Sequence, residues 1–313
     1  MDEVGEAARG LGERGLARRV VVPGLASAGV GSPVAAGSAV AVGSVIPSFG
    51  VEFTGGDGGC CRGRLGELWS TRFERVAPVR AFPSFRGQVS FPGLYYAVTM
   101  DAHVGFESWL ERDVAMMLDF DPAVVAFSSQ PFWLTWEQDG SARRHAPDYF
   151  ARLADGTGVV VDVRPDDRIE PRDAEAFAAT GRACGEVGWV FRRTAGPGAV
   201  LAANVRWLSR YRHRRCLVPE IAAVLLEVFA GGRGLFEGAG LAGDRLRVLP
   251  VLFHLMWQRQ LTADLAAGPL ARRLSCARAG RGEALPGGGR RPGPGRWRGE
   301  CGDQRDRDAG AAG

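Results

Sequence analysis

Residues 147 to 164 read Pro-Asp-Tyr-Phe-Ala-Arg-Leu-Ala-Asp-Gly-Thr-Gly-Val-Val-Val-Asp-Val-Arg. Side chains alternate between faces along a strand. Tyr149, Ala151 and Leu153 share one face of a first strand, and Val159, Val161 and Val163 share one face of a second. Both sets are mainly apolar, so both face the core, and Asp155-Gly156 marks a hairpin between them. Asp148, Asp162 and Arg164 then lie on the opposite face. A three-residue loop, Asp155-Gly156-Thr157, sets Asp148 opposite Arg164 and diagonal to Asp162. Diagonal neighbours are about 7–8 Å apart at the backbone. From there two aspartates can share a cation at the magnesium–oxygen distance of about 2.0–2.1 Å. Hard oxygen ligands suit magnesium or manganese. Taken alone, the pattern suits an exposed hairpin closed by an Asp–Arg ion pair better than a metal site.

Working outward, a helix opens near Gly105, with Phe106, Leu110, Val114, Met117 and Leu118 on one face. It stops before Asp121-Pro122, because proline disfavours helix at the residue before it. Strand-like runs follow at Val124–Phe127, Phe132–Trp136, Asp148–Leu153 and Val159–Arg164. A helix over Arg172–Val187 and a strand over Gly188–Arg193 complete the set. The order helix, strands, helix, strand predicts an α/β layer structure. Leu201–Tyr211 reads as helical. From Val218 the texture changes. Ile221, Val224, Leu225 and Val228 form one helical face, ended by Gly231-Gly232. Leu252, Phe253, Met256 and Trp257 form another after Pro250, and Leu261–Pro269 suits a hairpin. That is the outline of a winged helix-turn-helix.

The expected organisation is therefore a disordered Gly/Ala-rich segment over 1–70 and an α/β domain with its lead-in over 71–200. A basic linker over 201–217, a winged-helix-like domain over 218–276 and a disordered Gly/Arg-rich tail over 277–313 follow. Glycine supplies 45 of 313 residues, concentrated at the two ends. With 46% hydrophobic and 24% charged residues, the middle has the composition of a globular chain.

Lysine is absent; all 39 basic residues are arginine. That excludes a P-loop lysine, a lysine Schiff base and the protein-kinase lysine. The net charge is +4, but Val187 to Pro219 holds seven arginines, one histidine and no acid. Arg206, Arg210, Arg212, Arg214 and Arg215 in that stretch suit either a phosphate-contacting stripe or a solvated linker. The six cysteines form no CxxC pair, which argues against zinc and suits a reducing compartment. The uncharged run from Val20 to Val51 is Gly, Ala, Ser, Val and Pro with almost no Leu, Ile or Phe. It predicts low complexity, not a membrane span.

Pro147-Asp148 with Asp162-Val163-Arg164 resembles the PD-(D/E)xK nuclease signature, with arginine in the lysine place. Several segments widen the resemblance: Phe106-Glu107-Ser108-Trp109-Leu110-Glu111-Arg112-Asp113, Leu118 to Pro122, Gln130-Pro131, Arg144 to Phe150 and Val161 to Pro165. Phe82-Pro83-Ser84 and Gly87-Gln88 lie upstream of them, and Val248 to Trp257 downstream. Together, from about Pro78 to about Leu274, the chain is similar to the TnsA-like endonuclease subunits of heteromeric transposases.

The resemblance implies a restriction-endonuclease-like catalytic core followed by a winged-helix region. It implies magnesium- or manganese-dependent hydrolysis of DNA at transposon 5′ ends. The family's helix glutamate maps to Glu111, with Glu107 one turn earlier as the fallback. Its metal aspartates map to Asp148 and Asp162, helped by the Val163 carbonyl, and its lysine maps to Arg164. Arginine can donate to phosphate or water but cannot act as a base. The implied partners are double-stranded DNA, a DDE-type transposase subunit and an AAA+ ATPase regulator, with no membrane, in a bacterial, nucleoid-associated cytoplasmic setting. Gln130 and His145 are possible auxiliaries, each with a plain structural alternative. Two competing readings are a catalytically inactive DNA-binding scaffold of the same complex and a stand-alone nuclease.

Overall fold

Runs of β-branched and aromatic residues build the centre of the molecule, and caps set where its helices begin. The computed structural model describes residues 49–82, 91–270 and 274–279. Most of the low-complexity ends, together with Pro83-Ser84, Gly87-Gln88 and the Arg272-Arg273 pair, lies outside these residues. In chain order come β1 (Gly50–Thr54), β2 (Cys60–Arg64), α1 (Leu65–Leu68), β3 (Gly93–Ala97) and β4 (Ala102–Phe106). Then follow α2 (Trp109–Phe120), β5 (Val124–Ser129), β6 (Trp133–Gln138), β7 (Ser141–His145), β8 (Tyr149–Leu153) and β9 (Gly158–Val163). Next are α3 (Pro171–Glu186), β10 (Val190–Thr194), α4 (Ala199–Leu208) and α5 (Pro219–Val228). The described part closes with β11 (Arg233–Gly234), α6 (Leu235–Ala242), α7 (Arg245–Trp257), β12 (Leu261–Ala263) and β13 (Ser275–Arg278).

The fold is mixed α/β. The central sheet has the order β10-β9-β8-β5. Its strands are antiparallel except for β10, which runs parallel to β9 and is reached through α3. A parallel neighbour needs such a crossover. A second, antiparallel sheet has the order β2-β1-β6-β7. β8 and β9 are buried on both faces. Tyr149, Ala151, Leu153, Val159 and Val161 enter one apolar cluster, while Phe150 and Val160 enter the other with Phe73, Phe132 and Trp189. This is the alternation read from the sequence. The face carrying Asp148 and Asp162 is covered in part by Ala179, Ala183 and Cys184 of α3.

Several expectations are corrected. Residues 50–68, expected to be disordered, carry two strands and a helical turn. Val51 and Phe53 alternate inward and are buried. The helix expected from Gly105 starts at Trp109, because Ser108 caps it by accepting the Glu111 N–H on its side chain, and Gly105 and Phe106 belong to β4. Residues 201–208, expected in a linker, form most of α4, with Leu201, Ala202, Asn204, Val205 and Leu208 buried. Pro250 lies inside α7 instead of preceding it. The expected local hairpin over Leu261–Pro269 is absent: β12 pairs with β13, which in turn pairs with β11.

The C-terminal helices share one continuous core with the central sheet. Val114, Leu118 and Val161 fall in the same cluster as Val205, Leu225, Val251 and Leu252. Phe120 packs on Trp257 with ring centroids 5.0 Å apart. No helix among the described residues is long and apolar enough to cross a membrane.

Candidate active site

The turn between β8 and β9 fixes the site. Leu153 N–H donates to the Thr157 carbonyl at 2.9 Å, and Gly156 takes φ +91°. A positive φ of that size suits glycine. The loop residues are therefore Ala154-Asp155-Gly156, one position earlier than expected. That displacement moves the register by two. Tyr149 pairs with Val161 and Ala151 with Val159. Continued by one pair, the register sets Asp148 directly opposite Asp162, not opposite Arg164.

Beyond Tyr149 and Val161 the carboxylates take over the ladder. Val163 N–H donates to Asp148 Oδ2 at 2.7 Å, and Asp148 N–H donates to Asp162 Oδ1 at 3.4 Å. The next strand holds the same place, as Gln130 N–H donates to the Asp148 carbonyl at 2.9 Å. Asp162 is buried, and His145 Nε2 lies 3.0 Å from both of its carboxylate oxygens. The His145 ring also packs edge-on against Phe177 of α3.

Burial raises the Asp148 carboxyl well above the usual carboxylate range, and the neighbouring Asp162 and Glu111 raise it further. Arg164 works against this, too weakly to reverse it. Several carboxylates crowding one buried position are the electrostatic setting in which a cation is favourable.

Glu111 is engaged as a helix cap. Its carboxylate accepts the Glu107 N–H at 2.7 Å and the Ser108 hydroxyl at 2.9 Å. Burial raises its carboxyl, assisted by Glu107. Glu107 precedes the cap and so lies off the helix. One of its oxygens accepts from Arg80 at 2.6 Å, and Oε1 is buried without a partner among the described residues. Of the two glutamates, Glu107 is the one with an oxygen unengaged among the described residues. Beneath them the buried Tyr149 hydroxyl donates to the Glu111 carbonyl at 3.1 Å.

Arg164 is exposed and pairs with Asp173 on α3 at 3.4 Å. Gln130 is buried with φ +44°, and both polar atoms of its amide lack a partner among the described residues. Such a residue, backbone-bonded to Asp148, is an outlier of the kind that clusters at functional sites.

The five arginines of the expected stripe do not share one surface role. Arg206 forms a fork on the buried Asp113, with Nε 3.0 Å from Oδ1 and a second bond from Nη2 to Oδ2. Arg212 donates to the Ser209 and Tyr96 carbonyls and stacks over Tyr95. Arg210, Arg214 and Arg215 are exposed.

Among the described residues, no group of three or more His, Cys, Asp or Glu side chains is arranged to hold a metal ion. The donor chemistry fits a hard divalent cation on the Asp148–Asp162 pair, where two carboxylates repel. Glu111 fits less well, since both its oxygens serve the cap. Arg80 and Asp173, which hold Glu107 and Arg164, were not singled out in the sequence. The spacing of Glu170 and Asp173, a capping box at the start of α3, was the available signal for Asp173.

Compared with known proteins, the chain matches no family model and no curated protein.

Proposed function

We propose that the chain is a metal-dependent DNA endonuclease, the TnsA-like cutting subunit of a heteromeric transposase. The observation that carries the reading is the Asp148–Asp162 pair at the open end of β8 and β9. The chain order α2, β5, β8, β9, α3, β10 around one mixed sheet supports a restriction-endonuclease-like core. Three helices with the small β11-β13-β12 sheet support a winged-helix region after it.

Asp148 and Asp162 would hold the ion, with the Val163 carbonyl nearby on the same strand. Glu111 would join only by releasing its cap bonds. The chemistry supplied by bound magnesium or manganese is charge neutralisation at the reacting phosphate and acidification of water. Arg164, beside Asp148, contributes donors for a phosphate oxygen. It cannot take a proton, because guanidinium stays charged. Double-stranded DNA is the substrate, and a DDE-type transposase and an AAA+ ATPase are the proposed partners.

A second reading, the inactive DNA-binding scaffold, is favoured by one observation: His145 already occupies both oxygens of Asp162. A nicking assay separates the two. Supercoiled DNA is incubated with wild type, Asp148→Ala and Asp162→Ala in magnesium or manganese, with and without the transposase encoded alongside. Metal-dependent nicking lost in both variants supports the nuclease. Retained DNA binding without cutting, partner present, leaves the scaffold.

A further inference from the structure

The outer face of the β2-β1-β6-β7 sheet carries an open trough of about 710 Å³, with Arg64 and Arg144 on that face and Arg143 bordering it at the β7 edge, since Arg143 pairs with the buried Trp136 and alternates to the other face. The register explains its shape. Arg64 pairs with Gly50, Gly50 with Thr135, and Thr135 with Arg144, so these four residues form one row across the sheet. Neighbouring strands lie about 4.7–4.9 Å apart, so the two arginines stand roughly 14 Å apart at the backbone. Between them are a glycine and a threonine. A Cβ at Gly50 would sit 2.6 Å from Thr135 Oγ1, so only glycine keeps the floor open without moving that side chain. The Arg144 guanidinium lies 4.4 Å from the Trp133 ring centroid, flat along the surface. The acid Glu52 on this face is taken by Arg62 at 2.6 Å. That leaves Glu137 as the acid in the lining against three arginines. Neither Arg64 nor Arg143 has an ion-pair partner among the described residues.

We propose that this trough grips the phosphate backbone of duplex DNA and supplies the main electrostatic contact, in place of the arginines at 206–215. The charge suits a polyanion. The chain itself points to DNA: β7 carries Arg143 and Arg144 and runs on to Asp148, four residues after Arg144. At about 3.3–3.6 Å per residue, that is at most roughly 14 Å. A duplex is a continuous line of charge, one per about 1.7 Å of axis, and is long enough to touch the trough and reach the carboxylate pair together. In this last respect the inference rests on the nuclease reading.

The test is anisotropy of a labelled 30-base-pair duplex with the full chain in EDTA, titrated at several salt concentrations. Each phosphate contact contributes about 0.9 to the slope of log K against log salt. The variant Arg64→Gln/Arg143→Gln/Arg144→Gln should lose about 2–3 from that slope and bind at least tenfold more weakly. The control Arg210→Gln/Arg214→Gln/Arg215→Gln should change less. An unchanged slope with affinity within twofold overturns the proposal. If the triple variant fails to fold, hydrogen exchange on wild type decides. Slowed exchange over residues 133–145 on adding duplex supports the trough, and unchanged exchange overturns it. Tighter, more salt-sensitive binding of poly-glutamate than of duplex also overturns it, in favour of an acidic protein partner. Duplex binding through these arginines without any magnesium-dependent nicking keeps the trough and removes the nuclease reading. Unimpaired nicking and binding by the triple variant does the reverse.

Discussion

Asp148 and Asp162 are tied to each other through the backbone: Val163 N–H donates to Asp148 Oδ2 at 2.7 Å, and Asp148 N–H donates to Asp162 Oδ1 at 3.4 Å. Each carboxylate thus holds the other's strand in place. The ladder ends in two negative groups instead of another backbone pair, and that arrangement makes the first prediction.

Burial and the adjacent Asp162 and Glu111 raise the Asp148 carboxyl. A raised acid costs stability as pH climbs from its unfolded value, about 3.9, toward its folded one, because the unfolded chain ionises first. Asp148→Asn should therefore be more stable than wild type at neutral pH, with the gap closing toward pH 4. Denaturant melts between pH 4 and 8 measure this. Magnesium at a hundredfold its Kd should stabilise wild type by about 2.7 kcal/mol and leave the variant unmoved. A variant less stable than wild type at pH 7 contradicts the crowding argument.

Arg164 reaches Asp173 in an exposed pair, which contributes at most about 1 kcal/mol. Under the proposed nuclease reading its role is to offer donors beside the carboxylates. Arg164→Lys keeps a cation and should nick within tenfold of wild type. Arg164→Ala should lose about 100- to 1000-fold, the usual cost of one donor to a developing charge. Single-turnover nicking measures both, and equal rates for Ala and Lys would assign Arg164 to the surface.

Asp113 is buried in α2, and burial alone would raise it; Arg206 and Arg112 outweigh that and hold it below the usual aspartate range. A lowered acid stabilises above its unfolded value and loses that contribution as pH falls through the folded one. Asp113→Asn should cost about 1.5–3 kcal/mol at pH 7 and less at pH 3. Urea melts at both values check the difference, and a pH-independent cost would point to packing alone.

Gln130 buries an amide with no partner among the described residues. Leaving such a group unpaired costs about 1–3 kcal/mol. Gln130→Leu should therefore melt no lower than wild type while nicking falls. A stable variant with full activity would make Gln130 a backbone fixture only.

The inward faces of β8 and β9 were legible because both strands are apolar on a period of two. The register was not. Asp155-Gly156 marks a turn, but whether the loop is 154–156 or 155–157 depends on where glycine takes its positive φ, and one position decides whether Asp148 meets Asp162 or Arg164. β7 was invisible because Ser-Ala-Arg-Arg-His has no apolar side chain beyond Ala142; it is an exposed edge strand held by β6 alone. Glu111 lies near enough to Asp148 to raise its carboxyl. Its spacing from Ser108 also encodes a capping box, and that local role now occupies both of its oxygens. The pairing of Arg206 was not legible because Asp113, 93 residues before it, carries no local sign of it.

The shared core between α2 and the C-terminal helices has a mechanical consequence. α2 touches α4, and α4 touches α7. Arg206 clasps Asp113 two residues beyond Glu111, and Trp257 leans on Phe120 at the far end of the same helix. A force applied to the C-terminal helices, by a docked protein or by DNA, is therefore delivered along the axis of the helix whose first turn borders Asp148. Cutting the chain between residues 208 and 219 would not release an autonomous module. It would strip α2 of its outer wall and slacken the carboxylate site from behind.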